Sequence, residues 1–154
     1  MATPMFIVCQ NGSRESLQFA AMTASVAAVS GRDVTVFLSM NALQHFLRRP
    51  SPDAPAAGPT GELLKSRKAP RFEDLFQQAV ELGDAKIYAC SMAMDLLEVG
   101  EEDLAEYLAG AQGLTKFLSD AEAGKLLAFC YANGRLQGGG AVAACPPRRE
   151  PAGW

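Results

Sequence analysis

No two of the four cysteines stand in a C-x-x-C arrangement, and only one histidine, His45, is present to join them. A structural zinc site, which gathers four Cys or His ligands at short spacing, is therefore not expected. Positive charge is also scarce. Fourteen Lys and Arg against seventeen Asp and Glu leave a net charge of −3, with a pI near 5.2. That balance argues against a general affinity for nucleic acid or anionic membrane and leaves small molecules and proteins as partners. The first residues, Met1-Ala2-Thr3-Pro4-Met5, carry no basic segment, and the apolar run after them is too short for a signal core or a membrane span. A cytoplasmic protein without membrane insertion is the expectation, with its cysteines reduced. Also missing are a G-x-G-x-x-G turn after a strand, a G-x-x-x-x-G-K-[ST] loop and a G-x-S-x-G elbow, so nucleotide phosphate binding and serine-hydrolase chemistry have no motif behind them.

What is present suits one globular domain. The 154 residues are 49% hydrophobic and 20% charged, enough to bury a sizeable core without disulfide staples. Met5–Cys9 is a continuous apolar run, followed by Gln10-Asn11-Gly12-Ser13 as a turn with Ser13 as helix N-cap. The helix sets Leu17, Ala20, Ala21, Ala24 and Ala28 on one face and ends at Gly31. Val34–Leu38 reads as an inner parallel strand, β-branched and apolar on both faces. Residues 41–47 have helical spacing. Residues 50–61, with four prolines and two glycines, predict a long loop inserted in the domain. Phe72–Gly83 is amphipathic and predicts a helix ended by Gly83, and Lys86–Cys90 is a strand running straight into a helix that starts at Ser91. An acidic turn at Glu101-Glu102-Asp103, a short strand at 107–109, a helix around Leu114, Phe117, Leu118 and Ala121 that Gly124 ends, and a strand at 125–130 complete the pattern. Alternation of strands and helices predicts an α/β three-layer sandwich with a mostly parallel five-stranded sheet over residues 1–130, and a C-terminal tail over 131–154.

In such sheets ligands bind beyond the carboxyl ends of the strands. Cys9, Cys90 and Cys130 all close strands at that edge. Cys90 stands out because a helix follows it at once, and the unpaired N–H groups there favour a thiolate, while Asp95 opposes ionisation if it points back. A small buried hydrophobe is the plainer reading of all three. Met92 and Met94 flank the thiol, with packing the simpler role for both. Arg48, Arg49, Lys65, Arg67, Lys68 and Arg71 bracket the 50–61 loop and are either a solvated rim or an anion-attracting one. His45 is either a proton carrier near that edge or an ordinary packed histidine.

At Ala89-Cys90-Ser91-Met92-Ala93-Met94-Asp95 the chain resembles the DsrE/DsrF-like family, in particular a subgroup with an A-C-x-M-x-M-D signature. The likeness extends to the helix before Cys90, to residues 107–129 after it, and to Val36-Phe37-Leu38 leading into Asn41-Ala42-Leu43. The resemblance implies a small α/β domain that forms homo-oligomers and carries sulfane sulfur as a persulfide on Cys90, between donor and acceptor proteins, with no metal or organic cofactor. Ser91, Met92 and Asp95 are then supporting residues within the signature, while Cys9 and Cys130 lie outside it. This sulfurtransferase-type carrier is the favoured expectation. Two rivals stay open: a thiol oxidoreductase cycling a Cys90 disulfide with Cys9 or Cys130, and a module with inert cysteines that binds a small anion or a protein through its basic rim.

Overall fold

The computed structural model describes residues 2–51 and 53–129, which form five strands and six α-helices. Cys130 and the 131–154 tail lie outside the described residues. The strands are β1 (Met5–Cys9), β2 (Val34–Leu38), β3 (Lys86–Cys90), β4 (Gly110–Gln112) and β5 (Lys125–Phe129). They lie in the order β4-β3-β2-β1-β5, and every pairing is parallel. The helices are α1 (Arg14–Val29), α2 (Met40–Leu43), α3 (Pro59–Ser66), α4 (Phe72–Gly83), α5 (Ser91–Leu97) and α6 (Leu114–Ala121).

Side chains alternate across the sheet, so the register assigns each residue to a face. Ile7, Val36 and Ile87 share one face, closed by α1 and α4, and all three are fully buried. Phe6 and Phe37 occupy the other face beneath α6, where Phe117 stacks on Phe37 with ring centroids 4.8 Å apart and meets Phe6 edge-on at 5.8 Å. A second aromatic group, Phe46, Phe72 and Phe76, fills the α4 side, with 5.3 Å between the centroids of Phe46 and Phe76. Ser13 caps α1 by accepting from the Ser16 N–H, and Gly31 follows the helix with φ +83°, a conformation that favours glycine.

α4 ends at Gly83 as expected; the left-handed residue is the next one, Asp84, and Gly83 is needed because a Cβ there would run into Ala28 where α4 lies against α1. Three expectations need correction. The predicted 41–47 helix is a single α-helical turn, α2, continued by a 3-10 turn at Gln44–Phe46. The short strand expected at 107–109 lies three residues later, at Gly110–Gln112. Its start is set by tertiary partners: the Ala109 N–H donates to the Ile87 carbonyl (2.7 Å) and the Ala111 N–H to Glu101 (3.3 Å).

The third concerns the 50–61 loop. Its last three residues are the first turn of α3, with Pro59 placed where a helix tolerates proline because that N–H has no intrahelical partner. The segment just before that turn is tied down. The Glu15 carboxylate accepts from the N–H groups of Ala57 (2.8 Å), Gly58 (2.7 Å) and Gly61 (2.9 Å), and the Arg14 N–H donates to the Pro55 carbonyl (2.8 Å). Gly61 has to be glycine, since a Cβ would collide with that carboxylate.

Candidate functional site

Cys90 closes β3 and is itself the N-cap of α5, with extended dihedrals of φ −64° and ψ 120°. The strand-to-helix junction expected from sequence is therefore present, and the thiol is free. Its accessibility is not as expected. Cys90 is only 3% exposed, so the sulfur is covered in the isolated chain rather than standing open at the sheet edge. α5 starts without a connecting loop, and its Ala93 and Met94 are buried like the thiol. Met92, also on α5, is 54% exposed, and Met40 on α2, which packs against α5, is exposed as well. Ser91 and Asp95 are exposed.

Cys9 and Cys90 do not cluster. Leu38 pairs in register with both Cys9 and Ala89, so Cys9 shares a face with Ala89, and Cys90, one residue on, takes the opposite face. Their strands are also separated by β2, which at a strand spacing of about 4.8 Å and with Cys90 one residue further along puts the Cα atoms about 10 Å apart. A disulfide needs less than about 7 Å. A Cys9–Cys90 bond is thus excluded without rearranging the sheet, and Cys130 lies outside the described residues. Cys9 is buried beneath α1, and burial pushes its thiol up to about 12 from an ordinary value of 9.0, so it stays protonated at neutral pH.

One residue beside Cys90 escaped the sequence reading. Gln112 of β4 is its register partner and lies on the same face, with a buried amide Oε1 that has no hydrogen-bond partner among the described residues. The misplaced fourth strand concealed it; a strand at 110–112 would have put a polar side chain next to the thiol.

The basic rim divides. Arg49, Lys65, Lys68 and Arg71 line a cavity of about 680 Å³ on the α1/α4 side, joined by Arg14, which sequence had not singled out. Arg48 turns away to donate to the Leu104 carbonyl (2.8 Å) and to approach Glu106 (3.8 Å), and Arg67 is not in the lining. His45 is buried, sits in the cavity wall and meets the Phe72 ring edge-on at 6.2 Å. Cys90 does not line this space. No group of three metal-ligating side chains occurs among the described residues, and no helix there is long and apolar enough to cross a membrane.

Residues 56–129, which include the β3–α5 junction, match the model of the DsrE/DsrF/DrsH-like family. Among solved structures, the crystal structure of the ychN protein from E. coli is similar with a TM-score of 0.61 and 19% identity, covering 83% of this chain and 100% of that one. At that identity the likeness shows the fold. No curated protein sequence matches the chain.

Proposed function

Because residues 56–129 of this chain match the model of the DsrE/DsrF/DrsH-like family, we propose that it is a sulfur-relay protein carrying sulfane sulfur on Cys90. The observation that carries this reading is the position of Cys90: a free thiol at the carboxyl end of an inner strand, N-capping a helix inside the family-matched segment. The Cys90 thiol first loses its proton to solvent. The thiolate attacks the outer sulfur of a donor persulfide, R–S–SH, forming a new S–S bond as the donor leaves as thiolate and Cys90 becomes the persulfide. An acceptor thiolate then attacks that outer sulfur, and the Cys90 thiolate is released. Each transfer exchanges one S–S bond for another, so no oxidant, metal or organic cofactor enters the balance.

Burial adds a requirement. With the sulfur 3% exposed, donor and acceptor reach it only after a local opening, which we assign to α5, the helix that Cys90 caps. The exposed Met40 and Met92 around the junction are the surface on which we place those proteins, or another copy of this chain. A seven-residue helix, α5, is a short element to displace. Of the two disulfides the oxidoreductase alternative allows, the one with Cys9 is disfavoured, since Cys9 lies on the other face of the sheet, and the one with Cys130 involves a residue outside those described.

The experiment is intact-mass analysis after incubation with inorganic polysulfide, for the wild type and for Cys9→Ala, Cys90→Ser and Cys130→Ser. The gain of one sulfur atom is expected in all but Cys90→Ser. Equal loading of Cys90→Ser and wild type would falsify the proposal.

A further inference from the structure

The cavity on the α1/α4 side has no part in sulfur transfer at Cys90, yet it is built as a binding site. Its volume of about 680 Å³ falls within the range of roughly 300–1,000 Å³ typical of small-molecule pockets. The apolar part of its lining includes Phe46, Leu47, Ala54 and Phe72, all buried, with Tyr107 beside them. Its wall is held in place, because the 53–61 segment that supplies Ala54 is anchored by three N–H bonds to Glu15.

Charge in the lining runs against that of the whole protein. Arg14, Arg49, Lys65, Lys68 and Arg71 face only Asp53 and Glu73, an excess of three positive charges in a chain whose net charge is −3. Three of the cations are engaged: Lys65 with Asp53 (3.0 Å), Arg71 with Glu73 (3.1 Å), and Arg14 with the Gly61 carbonyl (2.9 Å). Arg49 and Lys68 form no ion pair among the described residues. The Tyr107 phenol is pushed up by burial, and by Glu73 and Asp74, so it remains a neutral hydrogen-bond donor.

We propose that this cavity binds a small organic phosphate, its flat apolar body against Phe46 and Phe72 and its dianionic group held by Arg49 and Lys68. The excess charge favours a dianion over a monoanion, and the aromatic lining favours an organic phosphate over the inorganic ion. Nothing in this proposal depends on the sulfur chemistry of Cys90.

Calorimetric titration of the full chain with phenyl phosphate, benzoate, inorganic phosphate and benzyl alcohol tests it. Phenyl phosphate is expected to bind saturably at one site, more tightly than the other three, and more weakly as salt is raised. Arg49 and Lys68 are exposed, so Arg49→Ala/Lys68→Ala folds, which circular dichroism verifies. Removing both is expected to weaken phenyl phosphate binding about tenfold or more, given the strength of hydrogen bonds to charged groups after discount for exposure. Cys90→Ser is expected to bind as the wild type does. The proposal is overturned by the absence of saturable binding, by equal affinity in the double variant, by benzoate, inorganic phosphate or benzyl alcohol binding as tightly as phenyl phosphate, or by loss of binding in Cys90→Ser.

Discussion

The two faces of the sheet are closed to different degrees. Beneath α1 and α4 every inward residue of β2 and β3 is sealed, because a row of alanines on α1 lets α4 approach closely and Glu15 clamps the loop beside them. Beneath α6 a single side chain, Phe117, is the main anchor, while Leu114 and Leu118 on the helix and Leu126 on the edge strand β5 remain exposed. Cys9 belongs to the closed face and Cys90 to the open one. Both thiols are buried, so burial does not distinguish a packed cysteine from a working one. What differs is the setting: Cys9 lies on the face closed by α1 and α4, whereas Cys90 lies on the α6 face and is itself the N-cap of the seven-residue α5.

That contrast can be broken most severely on the open face. Phe117→Ala removes the ring shared by Phe6 and Phe37 and is expected to cost about 3–5 kcal/mol, read as a lower urea midpoint. A loss below about 1 kcal/mol would mean that α6 is held by something other than this cluster.

On the closed face the Cys9 thiol supplies a test by pH. Its folded value of about 12 lies above the ordinary 9.0, so above pH 9 the unfolded chain releases a proton that the folded chain retains. Stability from this source is complete below pH 9 and is lost as pH rises from 9 towards 12, by up to about 4 kcal/mol. The raised Tyr107 phenol acts in the same direction at still higher pH. Comparing urea midpoints of wild type and Cys9→Ala between pH 8 and pH 11 isolates the contribution. Parallel pH profiles would show that Cys9 is not sealed.

A smaller effect is expected at Glu15. Burial raises its pKa, but the N–H donors of Ala57, Gly58 and Gly61, with its own, outweigh that and hold it below the ordinary 4.5. The clamp is therefore complete above pH 4.5 and is lost as pH falls through the depressed value. Glu15→Gln is expected to cost about 1–3 kcal/mol and to admit proteases to residues 53–61 at neutral pH. Unchanged cleavage there would show that the loop holds its shape without the carboxylate.

Much of the fold was legible because it is written in local pattern. Continuous apolar runs marked four of the five strands, Ser13 and Gly31 bracketed α1, and the absence of any loop residue after Cys90 gave the β3–α5 junction. The fourth strand was misplaced because Tyr107-Leu108-Ala109 has the more strand-like composition, whereas Gly110-Ala111-Gln112 pairs through distant partners on β3 and Glu101. Gln112 was missed with it. The clamp on the proline-rich segment was illegible for a similar reason, since its acceptor is more than forty residues away.

The order of strands and helices and the identity of the thiol at the end of β3 were determined by the sequence itself, because each depends on neighbours a few positions apart. Only the tertiary structure decided that Cys9 and Cys90 lie on opposite faces, that the Cys90 sulfur is covered, and that four cations flanking the loop join Arg14 around one cavity. Those properties arise from side-chain alternation across the sheet and from contacts between residues far apart in the chain, and a linear pattern carries neither.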